Sequence, residues 1–469
     1  MKKNEELFYL IKSLTKSEKR YFNLKNQANG SSRFLLVFDA IDKQDLYDEV
    51  QIKAKFKNRA FIKQFTTIKN YLKHKILNSL RNYHSQLSVQ SELIDILRNV
   101  EILYNKGLYE ICQSELQRAE KKAIQFQLNT LHIQIIDWKR KIHQSLFPQD
   151  WETIKRLTER QKELLSISID YTDLILANIN PEQFSISFKN VENIHHYTLY
   201  ELHQYQKAIR NGNSDDEHHR LLKLIEIWED KPDLKSEYAT TYCSIVNTYL
   251  AYLTFRNQFD IAIETLNKLK VFTTKIKNQS ASLIKEILRA YNIEIEIYRT
   301  QNDLIKGIGL IDEICAYINL HYSKVPKNYL LSFRFQFSHL FFLNTDYKAS
   351  LKWVNIILNG KEKYHRSDLI TYTYWLNLLI HFELKNVFVL RYYVDAMRRY
   401  LKKQKVIEAY EKLLLKFLSN SIDITNKKEL VNSFAILHQS LEKEQISNNV
   451  LDYIDFMEWI KLKITLQKP

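Results

Sequence analysis

The chain has 469 residues, of which 45% are hydrophobic and 13% are aromatic, and it carries a formal net charge of +15. This apolar content can build a folded core and excludes a disordered chain of low hydrophobicity. The three cysteines are widely spaced, with no CxxC motif or Cys/His cluster beside them. This spacing therefore indicates neither a disulfide framework nor a structural zinc site.

Glycine and proline are scarce, with six and five residues respectively, whereas average usage would give several times as many glycines. Few positions can therefore adopt positive φ or lie close against a phosphate. Apolar residues recur at helical spacing along most of the chain. These features predict an all-α protein, and its length predicts several domains or an extended repeat array.

The sequence gives no sign of export or membrane insertion. Its first residues lack a long apolar segment followed by a small-residue cleavage site, as a signal peptide would have. No run reaches the roughly 18 apolar residues of a membrane span. We therefore expect a cytoplasmic protein with no membrane partner.

Positive charge is concentrated at the N-terminus. Residues 1–90 contain 18 Lys and Arg against 8 Asp and Glu, a net charge of +10. Between Val50 and Ser91 there are nine Lys and Arg and no acidic residue. This asymmetry predicts a separate basic helical domain over residues 1–86.

Five helices are predicted in this domain, and Thr15 with Glu18 forms a capping-box pattern at the second. Asn58 is predicted to cap the fifth and longest helix, residues 59–84, which has an apolar stripe and a basic face. The predicted helices are 5–13, 16–25, 34–42, 46–56 and 59–84, with a turn at 29–32.

The basic face of the fifth helix is the first candidate functional site. Its candidate polyanion-binding residues are Arg59, Lys63, Lys69, Lys73 and Arg81. A row of cations attracts phosphates, and the short helices could form a helix-turn-helix-like arrangement on DNA or RNA. The alternatives are a solvated face or contact with an acidic protein surface.

From Ser88 onward the pattern changes to helix pairs. Ser88 is predicted to cap a helix that ends at Gly107, where a glycine suits a left-handed cap. After Gly107, an aromatic, a small, a bulky and a small residue follow at fixed spacing. This spacing recurs after Asn257, Asn302, Thr345 and Lys385, at steps of 45, 43 and 40 residues between the last four copies.

The pattern resembles the second half of a tetratricopeptide repeat, although that repeat has about 34 residues. The residues that carry the resemblance are Gly107, Tyr109, Cys112, Phe259, Ala262, Gly307, Tyr347 and Ser350. The resemblance implies a superhelical array of antiparallel helix hairpins, an α-solenoid, in which small residues let two helices approach. Such arrays are typically adaptors that bind proteins or peptides.

Interruptions divide this array further. Pro148 precedes a predicted helix over 149–177, and residues 180–216 are the candidate hinge or irregular repeat. We predict repeat segments over 87–210 and 211–420 and terminal capping helices over 421–469, the last pair being 427–439 and 442–466.

A second basic cluster lies in residues 391–405, with the candidate polyanion-binding residues Arg398, Arg399, Lys402 and Lys403. Interleaved tyrosines could stack on bases while the cations hold phosphates. Alternatively, Tyr393, Met397 and Tyr400 form one buried helical face and the lysines only complement a helix C-terminus.

No motif indicates catalysis, since the P-loop, the dinucleotide-binding glycines, the nucleophile elbow and HExxH are all missing. Two adjacent histidine pairs, at 195–196 and 218–219, are a weak metal pattern because neighbours on a helix diverge by about 100°. We expect no enzyme, no cofactor and no metal site. The leading hypothesis is a scaffold for a protein or peptide, and the alternative is a regulator whose N-terminal domain binds nucleic acid. An enzyme with an unrecognised polar pocket is the third possibility.

Overall fold

The computed structural model describes residues 5–27, 33–180, 193–212, 214–360, 366–403, 407–422, 424–444 and 453–466. Within these ranges the regular structure is helical, without a β-strand. The all-α prediction is therefore confirmed for the described part. The predicted turn at 29–32, residues 181–192 and 213 of the proposed hinge, and Lys405 lie outside these ranges.

The chain divides into two compact units, Met1–Tyr242 and Cys243–Pro469. The helices of the first unit are α1 (Glu6–Ser13), α2 (Lys16–Gln27), α3 (Arg33–Asp42), α4 (Glu49–Lys55), α5 (Phe65–Tyr83), α6 (Val89–Asn105), α7 (Tyr109–Gln125), α8 (Asn129–Leu146), α9 (Trp151–Ile179), α10 (Ile194–Asn211), α11 (Ser214–Glu229) and α12 (Pro232–Glu237). Helix α13 (Ala239–Phe255) contains the division.

The helices of the second unit continue from α13. They are α14 (Phe259–Thr274), α15 (Ala281–Thr300), α16 (Leu304–Gly309), α17 (Ile311–Leu320), α18 (Lys327–Leu343), α19 (Tyr347–Asn359), α20 (Ser367–Glu383), α21 (Val387–Lys403), α22 (Ala409–Ser421), α23 (Lys427–Glu442) and α24 (Phe456–Leu466). Short 3-10 helices occupy Ala60–Gln64 and Tyr322–Lys324. From α18 onward, each helix packs against the next helix described.

The first five helices surround their own core, which is built from buried residues between Leu7 and Ile76. A separate core of α6 to α8 begins at Leu93 and reaches Ile142. Each core follows the helical spacing of its apolar residues, because burying one stripe per helix stabilises the packed arrangement.

The capping box at α2 is confirmed. The Thr15 backbone N–H donates to Glu18 Oε2 at 2.6 Å, and the Glu18 backbone N–H donates to Thr15 Oγ1 at 3.2 Å. Glu18 Oε1 also lies 2.6 Å from His84 Nε2, a contact that links the start of α2 to the end of α5. The local pattern predicted the cap, whereas the link to His84 depends on tertiary packing.

The long helix predicted over 59–84 is wrong at its start. Asn58 is not the N-cap of this helix: Arg59 has extended backbone (φ −97°, ψ 128°) and precedes a 3-10 helix. That 3-10 helix ends at Gln64 (φ −115°, ψ 28°), which is the N-cap of α5. This turn brings the rings of Phe56 and Phe61 to 5.5 Å, so packing around Phe61 replaces the first turns of the expected helix.

Two further helix ends differ from the predictions. Asp150, rather than Pro148, begins α9, since its side chain accepts the Thr153 backbone N–H at 3.1 Å. Glu442 ends α23, with Lys443 as its C-cap, instead of beginning a terminal helix. The last described helix starts only at Phe456.

The five aligned turns share one backbone geometry. Positive φ occurs at every aligned turn residue: Gly107 (73°), Asn257 (56°), Asn302 (57°), Thr345 (62°) and Lys385 (55°). In each case the next backbone N–H donates to the carbonyl five residues before it, as from Leu108 to Leu103 at 3.0 Å. This is the Schellman arrangement at a helix C-terminus. Gln127, between α7 and α8, has the same geometry.

The residues that follow these turns are buried in the same register. Cys112, Ala262, Gly307 and Ser350 occupy the small position, and all four are buried. Cys112 Sγ lies 3.6 Å from the Val100 carbonyl oxygen, and Ser350 Oγ donates to the Ser338 carbonyl oxygen at 2.7 Å. A Cβ on Gly307 would lie 3.2 Å from Leu340 Cδ2. The small residues therefore stand where neighbouring helices approach closely.

The turns give a direct stability prediction. Thr345 is β-branched, and such residues are strained at positive φ. Replacing Thr345 with glycine is expected to raise the free energy of unfolding by about 1 kcal/mol. The reciprocal Gly107→Ala, which meets no atom within 4 Å, should lower it by a similar amount. Urea denaturation measures both, and a Thr345→Gly protein less stable than the parent would contradict the strain argument.

Candidate functional site

Two of the five cations predicted on the basic face are paired with carboxylates of the N-terminal helices. Lys69 Nζ lies 2.6 Å from Glu49 Oε2, and Lys73 Nζ lies 2.7 Å from Glu6 Oε2. Burial alone would raise the pKa of Glu49, but hydrogen bonds from Lys53 and Lys69 outweigh it and lower the pKa to about 2. Lys69 and Lys73 are thus engaged in holding helices together.

The remaining predicted cations lie elsewhere. Arg59 and Lys63 belong to the connection between α4 and α5, so they do not share one helical face with Arg81. All three are exposed. Two cations that were not among the candidates are also exposed: Lys55, the last residue of α4, and Lys57, which lies in the same connection.

We call Lys55, Lys57, Arg59 and Lys63 the basic connection. In the part of the chain that the structure describes, none of these four side chains has a carboxylate within ion-pair distance. Their charge therefore faces solvent, where it can attract a polyanion. The sequence predicts a row of cations but cannot show that Lys69 and Lys73 are paired with Glu49 and Glu6, because this pairing depends on tertiary structure.

The second cluster combines buried and exposed residues. Met397 is buried in the core of the second unit, and Tyr393 and Tyr400 pack against that core. Arg398 Nη1 lies 3.2 Å from Asp395 Oδ1. Arg399, Lys402 and Lys403 are exposed. The expected buried face therefore coexists with an exposed basic face on α21.

A polar cleft of about 240 Å³ lies in the second unit and was not predicted. Helices α15, α18 and α20 each precede one of the positive-φ turns, and all three contribute to it. The residues that line it are Ile295, Glu296, Arg299, Ser332, Phe335, Gln336, His339, Leu340, Arg366, Leu369 and Tyr453. Three helices that are separated along the chain thus supply one common site.

The two guanidinium groups in the cleft are each paired with a carboxylate. Arg299 donates to both Glu296 oxygens, at 2.6 and 2.9 Å. Arg366 Nη2 donates to Asp368 Oδ2 at 2.6 Å and to the Tyr453 hydroxyl at 2.9 Å. The cleft is therefore strongly polar but nearly balanced in charge.

Two buried groups in the cleft bear on what it can bind: the Gln336 side-chain oxygen and the His339 imidazole. Gln336 Oε1 is buried and accepts no hydrogen bond from the residues that the structure describes. Burial, reinforced by the Arg299 charge, lowers the pKa of His339 to about 3, so its imidazole is neutral at pH 7. A buried acceptor without a donor is costly, and an N–H or O–H group of a ligand would satisfy it.

The paired histidines have structural contacts. His195 packs edge-on against Tyr238 with ring centroids 4.4 Å apart, and His196 Nε2 lies 2.7 Å from the Ile167 carbonyl oxygen. Within the described ranges, no group of three or more His, Cys, Asp or Glu side chains is placed to hold a metal ion. The expectations of no metal and no cofactor remain predictions.

The chain matches no protein-family model, no curated protein and no solved structure in the comparisons made. Across the described helices, none has both the length and the apolar character required to cross a bilayer. The resemblance to tetratricopeptide arrays therefore remains a prediction supported by its turn and packing residues alone.

Proposed function

We propose that this protein is a non-enzymatic cytoplasmic scaffold whose helical hairpins form a tetratricopeptide-like array that binds a protein or peptide. The observation that carries the proposal is the polar cleft, to which three hairpin-forming helices contribute. A peptide backbone offers an N–H for Gln336 Oε1 and a carbonyl for donors such as the Ser332 hydroxyl. The paired charges favour such uncharged polar groups over a strong anion.

A substitution at Gln336 separates binding from folding. Gln336→Leu is expected to leave the free energy of unfolding unchanged or higher, because it removes an unsatisfied buried acceptor. Partner binding should fall by about tenfold, since one hydrogen bond of about 1.4 kcal/mol is lost. A photo-crosslinking residue at Ser332 would capture the partner in cells, and the same residue at exposed Lys348 is the control.

The scaffold proposal fails if Ser332 and Lys348 capture the same proteins at the same yield. It also fails if Gln336→Leu leaves the crosslinked partner unchanged while the protein remains folded by circular dichroism.

The basic connection supports a second candidate function, a regulator whose N-terminal helices contact DNA or RNA. Its four exposed cations are well placed to neutralise phosphates, and each neutralised phosphate steepens the salt dependence of binding. This candidate depends on the N-terminal helices alone and is independent of the cleft.

Matched neutral substitutions test this second function. Lys57→Gln with Arg59→Gln is expected to weaken duplex binding by about tenfold at 50 mM salt and to reduce the salt slope by about two. Lys69→Gln with Lys73→Gln removes the same charge from cations already paired with glutamates, so binding should change little. Fluorescence anisotropy measures both. Equal losses for the two pairs would show that the basic connection is not the contact.

A further inference from the structure

Helix α21 has one face in the core and one face in solvent. Leu390, Val394, Met397 and Leu401 are buried at steps of four, three and four residues. On the opposite side lie Phe388, Tyr392, Arg399 and Lys402. We call these four residues the outer face of α21. They follow the same helical spacing, so they form one line along the helix.

The two aromatic residues of the outer face are unusually exposed. The exposed fraction is 89% for Phe388 and 64% for Tyr392. They are four residues apart, so their rings are separated by about 6 Å along the helix axis. Full burial of such a ring is worth about 1.5–3 kcal/mol. The fold leaves this free energy unused, which makes both rings available to a ligand.

The charge around these rings is positive. Between Lys385 and Lys403 the chain has six Lys and Arg and one acidic residue, Asp395. Asp395 lies 3.2 Å from Arg398 Nη1. Within the described ranges, Lys402 and Lys403 have no carboxylate at ion-pair distance, and Arg399 donates only a long hydrogen bond, at 3.4 Å, to the Asp395 carbonyl oxygen. The outer face therefore combines aromatic rings with cations that remain available to an anion.

We infer that the outer face of α21 binds single-stranded nucleic acid, with bases stacked on Phe388 and Tyr392 and phosphates held by Arg399 and Lys402. From Phe388 to Lys402 the helix rises about 21 Å, which matches about three or four nucleotides of an extended strand. Aromatic stacking platforms beside cations are the usual means of binding single strands without sequence preference.

Other anionic partners fit this surface less well. A duplex keeps its base faces stacked inside, so it cannot use the two rings. A lipid surface favours a broad apolar helical face, whereas here two rings stand in a line with charged residues. This inference goes beyond the scaffold proposal, because it uses neither the polar cleft nor the basic connection.

The test uses the full chain and a fluorescein-labelled (dT)20 strand at 50 mM salt, followed by fluorescence anisotropy. Phe388→Ala with Tyr392→Ala should weaken binding by about tenfold or more, because each stacked base contributes a substantial share of affinity. Binding of the (dT)20·(dA)20 duplex should be unaffected by this pair. Arg399→Gln with Lys402→Gln should weaken (dT)20 binding and reduce the salt slope by about 1.4.

Matched controls separate this surface from general effects of charge and exposure. Phe255→Ala removes another exposed aromatic residue of the second unit, and Arg156→Gln with Lys162→Gln removes two exposed cations of α9. Both control proteins should bind (dT)20 like the parent. Since every substituted side chain lies largely in solvent, circular dichroism should be unchanged throughout.

Four results would overturn the inference. The first is failure of the parent protein to bind (dT)20 at 50 mM salt. The second is a protein with Phe388→Ala and Tyr392→Ala that binds (dT)20 as tightly as the parent. The third is binding to vesicles containing phosphatidylglycerol without binding to (dT)20, which would identify a lipid surface instead. Loss of (dT)20 binding in the Lys57→Gln and Arg59→Gln protein alone would assign the strand to the basic connection and likewise overturn the inference.

Discussion

Replacing Ser350 with leucine is expected to lower the free energy of unfolding of the second unit by about 3 kcal/mol. Ser350 is fully buried between α18 and α19, and its hydroxyl lies 3.0 Å from Ser338 Oγ. Leucine would place extra carbons at a close approach of two helices, which costs about 1–3 kcal/mol. Losing the serine pair adds a comparable amount, because the Ser338 carbonyl oxygen loses a donor.

Two matched variants identify the cause. Ser350→Ala removes only the hydroxyl and should cost about 1 kcal/mol, whereas Lys348→Leu adds leucine at an exposed position of the same helix and should cost less than about 0.5 kcal/mol. Urea denaturation measures the three proteins, and amide hydrogen exchange shows whether the loss is confined to α18 and α19. A Ser350→Leu protein as stable as Ser350→Ala would mean that these helices do not require a small residue.

The fifth copy of the pattern should behave in the opposite way. Its small position holds Leu390 of α21, which is buried in the core of the second unit. Leu390→Ser would leave a cavity and is expected to cost about 3 kcal/mol. Serine is thus required at position 350 and harmful at the equivalent position 390, because the neighbouring helices are packed around the side chain that each position holds.

Local patterns predicted the features that depend on neighbouring residues. The capping box at Thr15, the left-handed turn at Gly107 and the buried small position at Cys112 all follow from side-chain chemistry within a few residues. The predicted start of α5 was wrong because the 3-10 helix that contains Phe61 also satisfies helical spacing. Periodicity places an apolar residue on a face but cannot exclude a short interruption.

The site depends on contacts that no local pattern reveals. Glu49 and Lys69 are 20 residues apart, and Glu6 and Lys73 are 67 residues apart, so their pairing required the folded N-terminal core. The polar cleft joins Arg299 to Tyr453 through three helices. Helical spacing places Phe388 opposite the buried stripe of α21, but only the folded structure shows that its ring is left 89% exposed.

Lowering the pH from 7 to 5 is expected to destabilise both units, the second through the buried His339 and the first through the partly buried His195. Burial, with the Arg299 charge, lowers the pKa of His339 to about 3, and burial, with His196, lowers the pKa of His195 to about 4. The ordinary pKa of an exposed histidine is about 6.5. Below that pH the unfolded chain binds a proton that the folded chain rejects, so unfolding is favoured as the pH falls.

Each of the two histidines should cost about 2 kcal/mol at pH 5, because a pKa difference of one unit corresponds to about 1.4 kcal/mol. His195 acts on the first unit and His339 on the second. The strongly paired carboxylates do not contribute in this window: Glu49 and Glu120 have pKa values lowered to about 2. Their stabilisation is complete above about pH 4.5 and is lost only at lower pH.

Comparison of His339→Gln with His74→Gln isolates this effect. Glutamine at 339 cannot be protonated, so the pH 7 to pH 5 change in the free energy of unfolding of the second unit should shrink by about 2 kcal/mol. His74 is exposed, and its replacement should preserve the dependence of the parent. Urea denaturation at both pH values, with probes in each unit, measures the difference. If His339→Gln retained the full pH dependence, His339 would have to accept a proton while remaining buried, and its neutral state in the cleft would be wrong.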